Sequence, residues 1–286
     1  FVVALGAVGR AVPTHRRTAA FGMIAAAGSV GILAIAPLSQ SLIGAFGWQT
    51  ALKQLAALMA VAAFAALLLP AEDRADLDPD AALSMTKALR RARASRSYLL
   101  LVSGFFVCGF HVSFIGTHLP AFLEDGGLDS WVAPASLGLI GLFNIGGSML
   151  FGSLGDRMRK RSLLAFLYST RAVLMVVFLV VPLTALSALV FSAAIGVVWL
   201  ATVPLTSGIV AVIFGTRYLS TLFGIVFLGH QVGAFLGVWL GGRIFDATGS
   251  YDTVWMIAIG LGIASALIHV PIKERPLAAP LDQPIG

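Results

Sequence analysis

Residues 152–161 read Gly-Ser-Leu-Gly-Asp-Arg-Met-Arg-Lys-Arg, and they join two runs of apolar residues, 131–153 and 162–183. Each run has about the 20 residues that a helix needs to cross the hydrocarbon core of a bilayer. A cationic connector between two such runs is typical of a cytoplasmic loop, where Lys and Arg are concentrated. Its single acid, Asp156, can pair with Arg157 or with the N-terminus of a neighbouring helix. The segment predicts either a charge latch formed by Asp156, Arg157 and Arg161, or a basic membrane anchor with an incidental acid.

The same charge pattern repeats along the whole chain. All but three of the 19 Lys and Arg residues lie in five stretches, at 10–17, 74–96, 157–161, 217 and 273–275. The apolar runs between these stretches come in pairs, and the connectors inside the pairs contain no Lys or Arg; they are 47–49, 124–130, 184–186 and 248–252. By the positive-inside rule, the basic stretches and both ends of the chain are expected to be cytoplasmic.

The composition excludes an ordinary soluble domain. Charged residues make up 11% of the 286 residues and hydrophobic residues 58%, whereas soluble proteins have about 25% charged residues. The long apolar runs predict an all-α polytopic membrane protein. We expect eight full spans, at 18–46, 50–70, 97–123, 131–153, 162–183, 187–214, 220–247 and 253–272. The net charge of +6 lies in loops that would meet anionic lipid, so it does not indicate nucleic-acid binding.

No constellation of enzyme residues is visible in the sequence. It contains no metal-spaced group of Cys and His, no phosphate-binding loop and no nucleophile motif. The single cysteine, Cys108, lies inside an apolar run. We therefore expect no enzymatic activity, no metal and no cofactor.

Residues 152–161 resemble the signature loop of the major facilitator superfamily, which has a Gly, an Asp-Arg pair and further basic residues at this spacing. In that family one copy of the loop follows helix 2 and a second copy follows helix 8. Four predicted spans follow the loop here, as they do after the second copy. The resemblance implies the superfamily fold, with about eight transmembrane helices from the end of helix 4 through helix 12.

The resemblance also implies a division of the chain. Residues 1–70 would be the remnant of the N-terminal six-helix half (end of helix 4, helices 5 and 6), 71–96 the central cytoplasmic loop, 97–272 the C-terminal six-helix half (helices 7 to 12) and 273–286 a cytoplasmic tail. Helices 1 to 3 and most of helix 4 would be missing N-terminal helices of the same protein. The basic second part of 71–96 is expected either to form a short surface helix on lipid headgroups or to be a solvated linker.

Two further segments resemble the monocarboxylate-porter-like branch of the superfamily. Residues 16–31 lead from two arginines into a helix of small residues, and residues 241–251 read Gly-Gly-Arg-Ile-Phe-Asp-Ala-Thr-Gly-Ser-Tyr. The resemblance implies a small organic anion, such as a carboxylate, as the substrate. That branch holds the carboxylate with an Arg in helix 8, whereas the matching span here has Asn144 and no Arg.

Small residues predict a close helix contact. Gly229, Gly233, Gly237 and Gly241 recur every four residues, which places them along one face where another backbone can approach. We expect a helix-packing surface there, either static or moving during function.

Polar groups inside the predicted spans are the best candidates for a substrate site, because a bilayer makes them costly to bury. In the superfamily, helices 7, 8, 10 and 11 face the central cavity, and the candidates on the matching spans are His111, Asn144, Trp199, Thr202, His230 and Gln231. Arg171, a strongly intramembrane cation, is expected either to contact an anionic substrate or to bond to carbonyl groups. No Asp or Glu lies at mid-membrane depth, so proton coupling would use His111, His230 or the missing helices, or would be absent.

Together these features predict a secondary active transporter of a small organic solute that works by alternating access. The alternatives are a membrane sensor or receptor that uses the transporter fold only for binding, and an inactive truncated transporter. The expected partners are the solute, the lipid bilayer and the missing helices. The expected location is a bacterial inner (plasma) membrane.

Overall fold

The structure is a computed structural model that describes residues 1–67 and 84–277. Its helices in chain order are α1 Val2–Ala11, α2 Arg17–Leu67, α3 Met85–Ala94, α4 Arg96–Asp125, α5 Val132–Arg157, α6 Lys160–Val180, α7 Ala185–Val197, α8 Thr202–Phe214, α9 Leu219–Thr248 and α10 Asp252–His269. One turn of 3-10 helix, Thr14–Arg16, joins α1 to α2. The two described ranges contain no β-strand, which confirms the predicted all-α class.

Seven segments of the described residues are long and apolar enough to cross a membrane. They are Thr14–Ile35, Arg96–Asp125, Val132–Arg157, Lys160–Val180, Ala185–Phe214, Leu219–Thr248 and Asp252–His269. Each matches one of the predicted spans, and the chain is an integral, multi-pass membrane protein. The other predicted span, 50–70, is helical up to Leu67, where the first described range ends. Residues 71–83 of the predicted central loop and 278–286 of the predicted tail lie outside the described residues.

The long helix α2 is interrupted at one glycine. Gly47 has φ 74° and ψ 159°, a region that is open to glycine and strained for residues with a Cβ atom. It lies in the predicted connector 47–49. The break therefore separates the two predicted spans where the sequence placed their boundary.

Helix α3 is the basic second part of the segment 71–96. Its N-terminus is capped by Ser84, whose hydroxyl accepts a hydrogen bond from the Lys87 N–H at 3.3 Å. Ala88 and Ala92 are buried, whereas Lys87 and Arg90 are exposed. The described part of this segment is therefore helical, while its position on lipid headgroups stays a prediction.

The basic loops of the described chain gather at one end of the bundle. The Lys273 N–H donates to the Ser97 hydroxyl at 3.0 Å, so the chain after α10 lies against the start of α4. Arg161, before α6, donates from Nη1 to the carbonyls of Val270 and Ile272, each at 3.0 Å. We call this end of the bundle the basic end.

The connectors at the opposite end contain four carboxylates, and we call this the acidic end. There the ring of Tyr251 stacks on Phe245 at 4.5 Å and lies 5.3 Å from the ring of His118. These contacts bring the ends of α4 and α9 and the start of α10 together. The separation of basic and acidic connectors follows the predicted topology, while the side of the membrane that each end faces stays a prediction.

Helices α4 and α9 pack backbone against backbone. A Cβ atom on Gly233 or Gly237 would overlap the carbonyl oxygen of Phe106 or Phe110, and one on Gly241 would overlap the ring of His118. Gly229 would carry its Cβ 3.0 Å from a methyl group of Val102. The predicted four-residue repeat of glycine thus lies on the face of α9 that contacts α4.

Helices α2 and α5 make a second close contact. A Cβ atom on Gly22 would lie 2.5 Å from the Ser148 carbonyl oxygen and 3.1 Å from the Cα of Gly152. This close approach lies next to the basic loop 152–161. In the described chain the two helices therefore touch at the basic end.

Candidate functional site

The candidate site is built around an interrupted helix. The predicted single span 187–214 consists of two helices, α7 and α8, because residues 198–201 leave the helical conformation. Pro204 supplies a physical reason: its ring excludes the carbonyl of Leu200 from a continuous helix, and it donates no N–H. Pro204 itself is tolerated in the first turn of α8, where N–H groups have no acceptor within the helix. The predicted span is confirmed, and Pro204, which the sequence places inside it and predicts to bend it, lies just after a break between two helices.

Arg171 satisfies the carbonyl groups that the interruption leaves free. Its Nε and Nη2 donate to the carbonyl of Val198 at 3.0 and 2.7 Å, and Nη2 also donates to the carbonyl of Trp199. The side chain is 1% exposed, and its guanidinium lies 5.2 Å from the centre of the Tyr168 ring. A cation at the C-terminus of α7 also interacts favourably with the helix dipole. Two roles were expected for Arg171: contact with an anionic substrate, or bonds to carbonyl groups. The bonds to carbonyl groups are present in this conformation.

Asn144 accepts a backbone N–H group on the other side of the interruption. Its Oδ1 accepts a hydrogen bond from the Leu200 N–H at 2.8 Å, and its Nδ2 donates to the hydroxyl of Ser29 in α2 at 2.5 Å. Ser148, one turn away on α5, donates to the same Oδ1 at 3.2 Å. Asn144 therefore joins three helices: its own, the interrupted one and α2. Ser29 was not among the predicted site residues. Its only signal in the sequence is its position in the helix of small residues at 16–31.

Trp199 and Thr202 lie at the interruption itself and are buried. The Thr202 hydroxyl is 3.2 Å from the Sγ of Cys108 in α4, which was not among the predicted site residues. One turn later, the hydroxyl of Thr206 is buried and has no hydrogen-bond partner within the described residues. The first two turns of α8 thus place two buried hydroxyls, those of Thr202 and Thr206, beside the interruption.

His230 lies beside this group on α9. Its Nδ1 is 3.0 Å from the Oε1 of Gln231, and its ring stacks on Phe227 at 5.2 Å and lies 5.0 Å from the ring of Phe105. His230 is 8% exposed, while Gln231 is exposed. The aromatic rings hold the imidazole in place and limit its movement.

His111 is separated from the other candidates. Its Nε2 is 2.8 Å from the carbonyl oxygen of Ala258 in α10, and its Cε1 lies close to Gly262 on the same helix. The imidazole is buried, and its Nδ1 has no hydrogen-bond partner among the described residues. The structure therefore brings Asn144, Trp199 and Thr202 together, with His230 nearby, and directs His111 towards α10.

Asp156 connects the two sides of the α2–α5 contact at the basic end. Its two carboxylate oxygens accept hydrogen bonds from the N–H groups of Thr18 and Ala19, each at 2.9 Å. These are first-turn groups of α2, so the carboxylate caps that helix and interacts favourably with its dipole. Asp156 therefore pairs with the N-terminus of a neighbouring helix, which is one of its two expected partners, and not with Arg157. Arg157 is exposed beside it, and Arg161 contacts the end of α10 instead.

The sequence matches the profile of the Major Facilitator Superfamily over residues 1–223. This chain belongs to the Major Facilitator Superfamily. If residues 152–161 are the second copy of the signature loop, α4, α5 and α6 would be helices 7 to 9 of the superfamily, α7 and α8 the two parts of helix 10, and α9 and α10 helices 11 and 12. The position of the loop 152–161 between helices 8 and 9 led to this numbering, and it fits the order of the described helices.

Three superfamily relatives are similar to almost the whole chain. One is the uncharacterized MFS-type transporter YcxA of Bacillus subtilis (strain 168), 26% identical over 278 residues, which cover 92% of this chain and 66% of that protein. Another is monocarboxylate transporter 13 of Bos taurus, 28% identical over 281 residues, covering 94% of this chain and 64% of the relative. Monocarboxylate transporter 11 of Homo sapiens is 27% identical over 293 residues, covering 96% and 60%.

These superfamily relatives agree with the predicted likeness to monocarboxylate porters and are named as transporters rather than enzymes. The chain spans between 60% and 66% of the length of the three relatives.

Proposed function

We propose that this chain is the C-terminal part of a secondary active transporter that moves a small organic anion by alternating access. The observation that carries the proposal is the interrupted helix α7–α8, which Arg171 and Asn144 hold open on its two sides. Transporters commonly form their sites at such discontinuous helices, with the N-terminus of a half-helix facing an anionic group of the substrate. Superfamily membership and the names of the monocarboxylate transporter relatives support the same class of function.

The proposed site lies at the start of α8. A carboxylate there would lie at the N-terminus of α8 and accept a hydrogen bond from the Thr202 hydroxyl, with Trp199 as an apolar wall. Asn144, His230 and Gln231 would complete the C-terminal side of the site. The positive charge of Arg171, although directed to carbonyl groups, favours an anion nearby because charges interact strongly in a medium of low dielectric constant. A direct contact between Arg171 and the anion would require the carbonyls to release it.

Alternating access would follow from the contact between α2 and α5. These helices touch at the basic end, where Asp156 caps α2. If the basic end is cytoplasmic, as the charge pattern predicts, this conformation is closed to the cytoplasm. Release of the two hydrogen bonds to Asp156 would let the helices separate at the basic end. We propose a bacterial inner (plasma) membrane, with both ends of this chain cytoplasmic.

Coupling to protons or other ions is a separate question. The described spans contain no carboxylate at mid-membrane depth, since Asp246 lies near the acidic end of α9. His230, next to the proposed site, is the first candidate for a proton carrier, and His111 is the second. The alternatives are a coupling group in further helices of the protein and transport without coupling.

The decisive experiment is counterflow with the protein from the complete reading frame, reconstituted in liposomes. Vesicles are loaded with acetate, lactate, pyruvate or benzoate, or with uncharged and cationic solutes of similar size, and the labelled solute is added outside. We expect saturable accumulation of at least one carboxylate. Thr202→Val should reduce its rate about tenfold, as expected for the loss of one hydrogen bond to a charged group.

The matched control is Ser103→Ala, because the Ser103 hydroxyl is exposed and bonds only to the carbonyl of Leu99 in its own helix. Binding of a carboxylate without flux would favour the sensor or receptor alternative. Neither binding nor flux of any solute by the full-length protein would contradict the transporter proposal.

A further inference from the structure

A groove of about 560 Å³ lies beside Asp156, between the start of α2 and the end of α5. Its rim carries the basic residues His15 and Arg16 before α2 and Arg157 at the end of α5. Its wall is apolar and includes Ala20 and Met23. The groove is therefore basic at one edge and apolar along the other.

The two arginines of this groove have no internal partner. Both side chains are exposed, and neither forms a hydrogen bond or an ion pair with residues 1–67 or 84–277. Asp156, the acid among the residues that line the groove, already uses both carboxylate oxygens to accept the N–H groups of Thr18 and Ala19. The rim therefore keeps a positive charge that an external anion can neutralise.

The apolar wall indicates what kind of anion fits. Met23 is 58% exposed, although it lies within the apolar span Thr14–Ile35. The groove therefore passes from the cationic ends of two helices into the membrane-spanning part of α2. This is the depth at which a phospholipid changes from its phosphate to its acyl chains. A soluble anion would use the rim but would leave the apolar wall uncovered.

We propose that this groove binds one anionic phospholipid, with the phosphate between Arg16 and Arg157 and an acyl chain along Ala20 and Met23. Arginine suits this role because its planar group of donors matches phosphate oxygens. The lipid would contact both α2 and α5, the same helices that Asp156 joins. A bound lipid would therefore stabilise the closed arrangement of the basic end, and an intact Asp156 cap would hold the two arginines in position for it.

The test measures lipid binding to the purified protein from the complete reading frame in a neutral detergent and does not depend on transport. The probes are dioctanoyl phosphatidylglycerol, dioctanoyl phosphatidylcholine and inorganic phosphate, titrated by thermophoresis or native mass spectrometry. We expect one saturable phosphatidylglycerol site, with at least tenfold weaker binding of the other two probes. Arg16→Gln and Arg157→Gln should each weaken it about tenfold, the effect of losing one hydrogen bond to a charged group.

The matched control is Arg159→Gln, which removes the same charge from the same loop but lies outside the groove lining. It should change the affinity less than twofold. Equal weakening by Arg159→Gln would mean diffuse attraction of the lipid and would overturn the proposal. Equal binding of phosphatidylcholine, or phosphate binding as tight as phosphatidylglycerol binding, would overturn it as well.

The variant Asp156→Asn distinguishes two explanations of lipid binding: coupling of the lipid to the α2–α5 contact, and electrostatic attraction alone. Removing a negative charge beside the groove should strengthen binding of an anionic lipid if charge alone decides the affinity. If the cap positions the two arginines, the same substitution should weaken binding several-fold. Stronger binding by Asp156→Asn would refute the proposed link between the lipid and the α2–α5 contact.

Discussion

Replacing Asp156 by Asn should shift the protein towards a conformation that is open at the basic end. In the structure, the Asp156 carboxylate accepts two hydrogen bonds of 2.9 Å from the first turn of α2. The bonds join α5 to α2, so they exist only while these two helices are in contact at the basic end. Whatever stabilisation they provide therefore acts on the closed state alone.

The size of the shift follows from these two bonds. A hydrogen bond to a charged group contributes about 1.5 kcal/mol at the lower end of its range, which suits a partly buried carboxylate. Asn keeps one acceptor oxygen and one neutral hydrogen bond, worth about 1 kcal/mol. The net loss is about 2 kcal/mol, which changes the ratio of open to closed molecules about 30-fold.

Cysteine accessibility measures this ratio. Cys108→Ser removes the single cysteine of the chain, and Ala25→Cys introduces a reporter at a buried position of α2, one turn from Gly22. A membrane-impermeant maleimide added at the basic end should label this reporter about 30 times faster when Asn replaces Asp156, because labelling follows the open population.

Asp129→Asn, the same substitution in an exposed connector of the acidic end, is the control and should leave the labelling rate unchanged. Labelling rates within twofold of each other for the parent and the Asp156→Asn variant would refute the reasoning.

Three further predictions concern the interrupted helix, the glycine face and the histidine of the proposed site. Arg171→Met should lower the melting temperature in detergent, because each buried carbonyl left without a donor costs about 1–3 kcal/mol; a Met variant as stable as the parent would contradict the role of Arg171 as a carbonyl donor. Gly233→Ala should also lower it, because the added Cβ overlaps the backbone of α4, whereas Gly242→Ala, with no neighbour within 4 Å, should be neutral; equal effects would speak against close packing. His230→Ala should reduce solute uptake at least fivefold at a normal level in the membrane, and unchanged uptake would remove His230 from the site.

Much of the fold could be predicted because a bilayer imposes simple rules. Helices must satisfy their own backbone groups in lipid, so apolar runs of sufficient length mark the spans. The positions of Lys and Arg then sort the connectors into two sets, and the structure places these sets at opposite ends of the bundle. The repeat from Gly229 to Gly241 likewise predicts a helix contact from one segment of sequence, since a row of glycines admits a close neighbour.

The details of the candidate site could not be predicted in the same way, because they depend on contacts between distant residues. Hydropathy does not distinguish a continuous apolar helix from one interrupted at 198–201, since both are equally apolar. The partners of Arg171 are 27 and 28 residues away in sequence. Ser29 and Asn144 are 115 residues apart, so nothing in either segment indicates their hydrogen bond. His111 could be placed on its helix, but which neighbour it faces is decided by packing.

Asn144 and Asp156 together suggest how the proposed site is linked to the conformation of the protein. Both lie on α5, and both bond to α2, Asp156 at the basic end and Asn144 near mid-membrane. When the basic end opens, the Asp156 bonds must break, because they join α5 to the first turn of α2 at that end. Asn144 bonds to Ser29 farther along α2, nearer the middle of the bundle. The same Asn144 also accepts the Leu200 N–H at the interrupted helix. A substrate that competes for this N–H would therefore weaken the network that holds α2 and α5 together, and binding would favour the rearrangement that transport requires.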